Sequence, residues 1–326
     1  MTPKPAKAIL VSGHDLSDLK ALLDQTEGMG IDIYTHGEML PAHGYPGLSK
    51  YPHLKGHYGG AWYRQKIDFD KWPGSILITT NCVLDPPPAS YAANLFTTGE
   101  TGVEGVQHVA PKEFGAVIER AKQLPGFGPE AADAEERTHL VGFGREAMLG
   151  AAPALLDAIK AGQLEHIFLI GGCDGSEGSR RYYKNVAQKM PETSAILTLG
   201  CAKFRLLGHD YGNLPGTELP RLMDVGQCND SYAAIQIAVA LAEALGTKDG
   251  VNGLPLSLDI SWFEQKAVAV LLTLLHLGVK DIRLGPALPA FITPDALKIL
   301  VDTFGLKPAD LKNPEEDLER MLMHGQ

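Results

Sequence analysis

Residues 166–173 read HIFLIGGC: a short apolar run, two glycines and a cysteine. An apolar run of this length closed by glycine predicts a buried strand over His166–Ile170 that ends in a sharp turn, and Cys173 stands just past that end. The arrangement returns three times. SAILTLGC (194–201) sets Cys201 beyond a strand at Ala195–Leu199, and LMDVGQC (222–228) sets Cys228 beyond Arg221–Val225. SILITTNC (75–82) sets Cys82 beyond Ser75–Thr79. Further strands are expected at Ala8–Val11, Ile31–Tyr34, Gly105–Val109, Leu256–Ile260 and Asp281–Leu284. Helical periodicity falls between them, at Leu16–Gln25, Lys112–Gln123, Ala147–Ala161, Gly178–Lys189, Ser231–Ala244, Phe263–Leu277 and Pro294–Phe304. Strands that alternate with helices predict βαβ units and parallel sheets, an α/β fold. The helix from Ser231 is apolar nearly all round and is expected to pack inside a layer.

A chain of 326 residues fits two domains. The stretch 124–138, LPGFGPEAADAEERT, is rich in Pro, Gly and charge and marks the expected boundary: a first Rossmann-like domain over 1–138 and a second over 139–326. Hydrophobic residues make up 44% and charged residues 21%, enough for a sizeable core. A net charge of −10 argues against nucleic acid or an anionic membrane as the main partner. No stretch reaches the roughly 20 apolar residues of a membrane span. The opening MTPKPAKAILVSGHD lacks a signal-peptide core and cleavage site, so a cytoplasmic location is expected. There is no internal repeat.

Four cysteines in so long a chain are too few for a secreted disulfide scaffold, and no CxxC pair points to a zinc ribbon. Core thiols would fall within strands or on helix faces; these four all follow strand ends, where open parallel sheets place their ligand sites. Other coordinating side chains share that placement. His14 ends AILVSGH, Glu38 ends IDIYTHGE, and Glu264 follows SLDISW with Lys266 beyond it. Four thiolates, one imidazole and two carboxylates are too many for one tetrahedral zinc. They suit a multi-iron cluster with a sulfur-rich half and a half bound through oxygen and nitrogen. Gly171, Gly172 and Gly200 let the backbone turn sharply or bring its N–H groups close to inorganic sulfur. The histidine-rich stretch His36, His43, His53 and His57 is read as loop and outer-sphere groups that orient Glu38, not as a second metal site. GGCDGSEG lacks the G-x-G-x-x-G spacing of a dinucleotide site.

The motifs SGHDL, YTHGEMLPAHGYP, ITTNC, LIGGCDG, LTLGCAKFR, GQCNDSY and LDISWFEQKAV closely resemble the hybrid-cluster proteins, also called prismane proteins or hydroxylamine reductases. That family is related to the nickel–iron carbon monoxide dehydrogenases. The resemblance runs through essentially the whole chain. It implies two Rossmann-like domains with parallel sheets and a four-iron hybrid iron–sulfur–oxygen cluster in the crevice at the strand C-terminal ends. The implied ligands are His14, Glu38, Cys82, Cys173, Cys201, Cys228 and Glu264, with Cys173 carrying an extra sulfur as persulfide and Lys266 beside the cluster. The implied activity is reduction of hydroxylamine to ammonia, or of nitric oxide to nitrous oxide, with electrons from an unidentified donor. Glu264, Lys266 and His14 would be the catalytic residues, Lys266 the proton donor with help from His36 or His43. A homodimer is a possible assembly. Full-length members begin with a helical domain that carries a conventional cluster on closely spaced cysteines. This chain starts at the strand leading into His14 and is expected to be a natural short form or a trimmed chain. Two other readings stand beside the enzyme: a module that binds nitric oxide and passes it to protein thiols, and a catalytically silent cluster-binding scaffold.

Overall fold

The computed structural model describes residues 5–87, 90–129, 131 and 137–323. The chain divides into two compact units, Met1–Gly142 and Phe143–Gln326. Part of the expected boundary segment, residues 130 and 132–136, lies outside the described residues.

The first unit is built on a six-stranded parallel sheet. Its strands are β1 (Lys7–Ser12), β2 (Ile31–Thr35), β3 (Leu54–His57), β4 (Ser75–Ile78), β5 (Leu95–Thr98) and β6 (Gln107–Val109), in the order β3-β2-β1-β4-β5-β6. Among the described residues, four α-helices accompany them: α1 (Leu16–Thr26), the single turns α2 (Pro46–Ser49) and α3 (Gln65–Asp68), and α4 (Gly115–Gln123). Successive side chains of a strand point to opposite faces, and both faces of β1 are covered. Ile9 and Val11 pack with Leu19, Leu22 and Leu23 of α1 and Val117 of α4. Ala8 and Leu10 pack with Phe69, Trp72 and Ile76. That two-sided burial is why the strand reads as a continuous apolar run. Asp15 caps α1, its side chain accepting from the backbone N–H groups of Ser17 and Asp18.

The second unit repeats the plan. Its strands are β7 (His166–Gly172), β8 (Ser194–Leu199), β9 (Leu222–Gly226), β10 (Leu256–Ser261), β11 (Arg283–Gly285) and β12 (Lys307–Pro308), in the order β12-β11-β10-β7-β8-β9. Counted within each unit, both sheets have one strand order. The helices are α5 (Arg145–Lys160), α6 (Arg181–Gln188), α7 (Ser231–Leu245), α8 (Gln265–His276), α9 (Pro294–Phe304) and α10 (Pro314–Leu322). Ile167 and Leu197 face α5 and α7; Phe168, Ile170 and Ile196 face α6 and α10; Leu258 and Ile260 meet Leu271 and Leu274 of α8.

The expectation that the helix from Ser231 lies inside a layer is not met. Only Ala234, Ile237 and Ala242 of α7 are buried, while Tyr232 and Val239 are exposed. The helix covers one face of the sheet with a narrow stripe and turns the rest of its apolar surface outward. Among the described residues, no helix is long and apolar enough to cross a membrane.

On β10, the Asp259 side chain is 1% exposed, with Tyr182, Arg283 and Asp317 beside it. Burial and the nearby Asp317 carboxylate outweigh the Arg283 guanidinium and push its carboxyl up to about 7. Between the ordinary carboxylate value of 3.8 and about 7, the folded chain keeps a proton that the unfolded chain has released. Stability therefore falls as pH rises through that window and is level above it. Asp259→Asn should remove this contribution, flattening unfolding free energy against pH by about 1.4 kcal/mol per pH unit in the window. Denaturant titrations of both proteins at a series of pH values would read it; identical slopes would show that Asp259 does not titrate there.

Candidate metal-ligating residues in each unit

In the first unit, His14 follows β1, Glu38 follows β2 and Cys82 follows β4, all beyond carboxyl ends of neighbouring strands. β1 and β4 are the pair at which the strand order reverses, the point where doubly wound sheets open a crevice. His14 and Glu38 are almost wholly buried, with His14 Nε2 4.0 Å from Glu38 Oε2. His14 Nδ1 lies 2.7 Å from Thr80 Oγ1. A ring held at Nδ1 by a hydroxyl presents Nε2 as the donor atom, the outer-sphere device common to metal-binding histidines. Gly13, at φ 108, lets the chain turn here: a Cβ would fall 2.6 Å from Thr79 Oγ1. Cys82 itself adopts φ 64, a left-handed turn that few side chains accept. Gln65 secures it, donating Nε2–H to the Cys82 carbonyl and accepting from the Leu84 N–H at 2.9 Å.

Within the histidine-rich stretch, His36 and His43 support this edge. His36, fully buried, sits 3.2 Å from Ser12 Oγ and 3.4 Å from Asp68 Oδ2. His43 Nε2 meets Thr35 Oγ1 at 2.8 Å; His53, just before β3, instead meets Thr26 Oγ1 at the end of α1 at 3.1 Å, at the amino ends of the strands, and so does not orient Glu38 as expected. Burial lowers the pKa of both His36 and His43, the latter to about 4, so both rings are neutral near pH 7. They are poor resident proton donors, contrary to the help expected of them.

In the second unit, Cys173, Cys201, Cys228 and Glu264 follow β7, β8, β9 and β10. β7 and β10 are its pair of strand-order reversal, and Cys173 and Glu264 flank it. Two glycines set the approach of these ends. A Cβ on Gly172 would lie 2.1 Å from the Ser261 carbonyl oxygen, and one on Gly200 would lie 2.4 Å from the Gly172 carbonyl oxygen; both have positive φ. The Cys173 N–H donates to the Ser261 carbonyl at 2.8 Å. A buried ion pair ties the next two turns: Lys203 Nζ lies 2.7 Å from Asp224 Oδ1 and donates to the Gly226 carbonyl at 2.7 Å. This joins the turn of Cys201 to the strand that delivers Cys228. Asp174, next to Cys173, is held by Arg205 Nε at 2.9 Å from both carboxylate oxygens. Lys266, in the first turn of α8, brings Nζ to 3.7 Å from Cys228 Sγ. Cys173, Cys228 and Lys266 line one cavity of about 310 Å³.

Each expected ligand thus stands at a strand carboxyl end, and the donor set suits an iron–sulfur centre with mixed ligands. Thr80, Gln65, Asp174, Arg205, Lys203 and Asp224 were not singled out from sequence. Thr80 lay inside the ITTNC motif, but its partner is His14, far away in the chain.

The family model described as the Prismane/CO dehydrogenase family matches residues 1–319. The chain belongs to that family. Among curated members, "Hydroxylamine reductase" of Burkholderia ambifaria (strain MC40-6) is 57% identical over 308 residues, covering 94% of this chain and 54% of its own length. The protein of the same name from Solidesulfovibrio magneticus is 56% identical over 319 residues, covering 98% of this chain and 57% of its own. That from Rhodospirillum rubrum is 56% identical over 321 residues, with the same two shares, 98% and 57%. The chain therefore spans little more than half the length of these prismane-family relatives. A solved structure titled for NiZn[Fe4S4] and NiNi[Fe4S4] clusters in closed and open alpha subunits of acetyl-CoA synthase/carbon monoxide dehydrogenase shares the fold. Its TM-score is 0.66 at 17% identity, over 98% of this chain and 58% of that one.

Thr80→Val should weaken the hold on the His14 ring and lower metal affinity of the first unit's donors about 10- to 100-fold, the usual effect of removing an outer-sphere partner. Titration of the purified variant with ferrous iron or cobalt would read it, and unchanged affinity would discount Thr80.

Proposed function

We propose that the chain is an iron–sulfur oxidoreductase that reduces small nitrogen oxides at a hybrid cluster. His14, Glu38 and Cys82 of the first unit and Cys173, Cys201, Cys228 and Glu264 of the second would hold that cluster together. The observation that carries the reading is the placement of all seven donors beyond strand carboxyl ends in a chain of the prismane family. The names of the curated relatives, each "Hydroxylamine reductase", point the same way. Donor chemistry agrees: sulfur ligands dominate the second unit, and imidazole with carboxylate the first.

A cluster bound there would supply electrons and Lewis-acidic iron for the N or O atom of a small molecule. The chain's own residues do the rest. Thr80 fixes the His14 ring, and Lys203 with Asp224 holds the turns of Cys201 and Cys228. The ammonium of Lys266, beside Cys228, is the proton donor to the leaving oxygen. Hydroxylamine takes up two electrons and two protons and gives ammonia and water. Alternatively, two molecules of nitric oxide take up two electrons and two protons and give nitrous oxide and water. Electrons come from a separate donor. Cys173, next to Asp174, which the partly buried Arg205 holds, would be the thiol that carries the extra sulfur.

The test is iron, acid-labile sulfide and zinc per chain, with EPR, on protein purified without oxygen, followed by hydroxylamine turnover with an artificial electron donor. Several irons with fewer sulfides and signals unlike a plain cubane are expected; zinc alone or no iron overturns the reading. In the loaded protein, Lys266→Met should keep the iron content and lose about 10²- to 10⁴-fold in turnover, the usual contribution of a positioned acid. Unchanged turnover would remove Lys266 from the proton path.

A further inference from the structure

Between the turn of Cys173 and the segment that leads to Glu264 lies a buried cation with no part in the chemistry above. Arg180 is 2% exposed and closes the loop that follows Cys173, in the short turn Gly178–Arg180 before α6. Its guanidinium faces two ways. Toward its own loop, Nε lies 2.7 Å from Glu177 Oε2 and Nη2 lies 3.3 Å from Glu177 Oε1, the bidentate pairing of a planar guanidinium with a carboxylate. Toward the end of β10, Nη1 donates to Ser261 Oγ at 2.9 Å and Nη2 donates to the Trp262 carbonyl at 3.1 Å. The central carbon of the guanidinium stands 5.5 Å from the centre of the Phe263 ring, within reach of a cation–π contact. Ser261, Trp262 and Phe263 are the three residues before Glu264. Gly175 leaves room for the arrangement, since a Cβ there would fall 2.8 Å from Arg180 Nε.

The sheet holds the same segment from its other side. Ser261 pairs with Gly172 of β7 and with Gly285 of β11, and the Trp262 N–H donates to the Gly285 carbonyl at 3.1 Å. We propose that Arg180 is the positioning residue of this edge: its guanidinium links the loop after Cys173 to the three residues before Glu264, and so sets where the Glu264 carboxylate and the first turn of α8, with Lys266, stand relative to Cys173. The inference rests on the function proposed above, in which Glu264 is a ligand, and names a residue that acts through it. The role needs arginine and not a positive charge alone. A lysine ammonium lacks the planar fork that grips Glu177 while other N–H groups reach Ser261 and Trp262. Without the guanidinium, the Ser261 hydroxyl and the Trp262 carbonyl lose a charged donor, and a shift of about 1 Å in the segment is enough to misplace a functional group.

Cobalt(II) reads the donors without an assembled cluster, through thiolate-to-cobalt absorption of the purified chain. Arg180→Met should lower cobalt affinity about 10- to 100-fold, and Arg180→Lys, which keeps the charge, about tenfold. Glu264→Gln should lower it as well. With Arg180→Met and Glu264→Gln combined, affinity should stay within about twofold of Glu264→Gln alone, because the two residues act as one. Thermal unfolding confirms that each variant is native, and the lysine variant serves if the methionine variant does not fold. Losses that multiply in the double variant overturn the proposal, since Arg180 would then support the unit and not Glu264. Wild-type affinity in both Arg180 variants overturns it too, as does wild-type affinity in Glu264→Gln. In cluster-loaded protein, the Arg180 variants should shift the EPR signal in the direction that Glu264→Gln shifts it, at unchanged iron content; an unshifted signal overturns the proposal. A chain that loads no iron overturns the redox reading, while the cobalt cycle still decides the role of Arg180.

Discussion

Parallel pairing of β7 with both β8 and β10 is the constraint on which the chemistry of the second unit depends. Parallel strands must all deliver their carboxyl ends to the same edge of the sheet, and each crossover must return over a face before the next strand begins. Four thiol or carboxylate donors from distant parts of the sequence thereby arrive at one edge without any local motif to gather them. The close contacts of Gly172 with Ser261 and of Gly200 with Gly172 follow from that crowding. Side chains at those two positions would push the strand ends apart. The Lys203–Asp224 pair is placed by the same edge, because β8 and β9 are neighbours. Such a pair gives little net stability, yet losing one partner would strand a buried charge, so it fixes geometry more than it adds strength.

Much of this was legible in the sequence where burial is two-sided. β1, β4, β7 and β8 are nearly continuous apolar runs because both faces are covered, whereas β2 and β10, IDIYT and LSLDIS, are interrupted by buried polar residues; all six are foreseen. β3 reads LKGH, with Lys55 half-buried at the sheet edge, and carries no such signal. β5 reads LFTT: Thr97 and Thr98 are wholly buried, but their hydroxyls are satisfied by His108 and by the Val109 carbonyl, partners that only the folded sheet supplies. β12 is two residues with a proline at the edge, where a missing N–H costs nothing. The apolar composition of α7 misled in the other direction, since composition does not say how much of a helix its neighbours cover.

The placement of these side chains at strand ends was readable for a chemical reason. Cysteine directly after a strand and a glycine turn is an unusual place for a structural thiol. Their supports were not. Thr80 and Gln65 are ordinary residues until the fold sets them against His14 and the Cys82 carbonyl, and Asp224 acquires its meaning only from Lys203. The neutral state of His36 and His43 also comes from packing, which no spacing along the chain announces.

The shared strand order of the two sheets has a further consequence. Each unit offers the same row of strand-end positions, and this chain fills one row mostly with nitrogen and oxygen donors and the other mostly with sulfur. Exchanging a residue at such a position leaves the buried runs of the strands untouched. Core and strand-end positions can therefore be changed separately, so the chemistry at an edge can be altered without rebuilding the sheet beneath it.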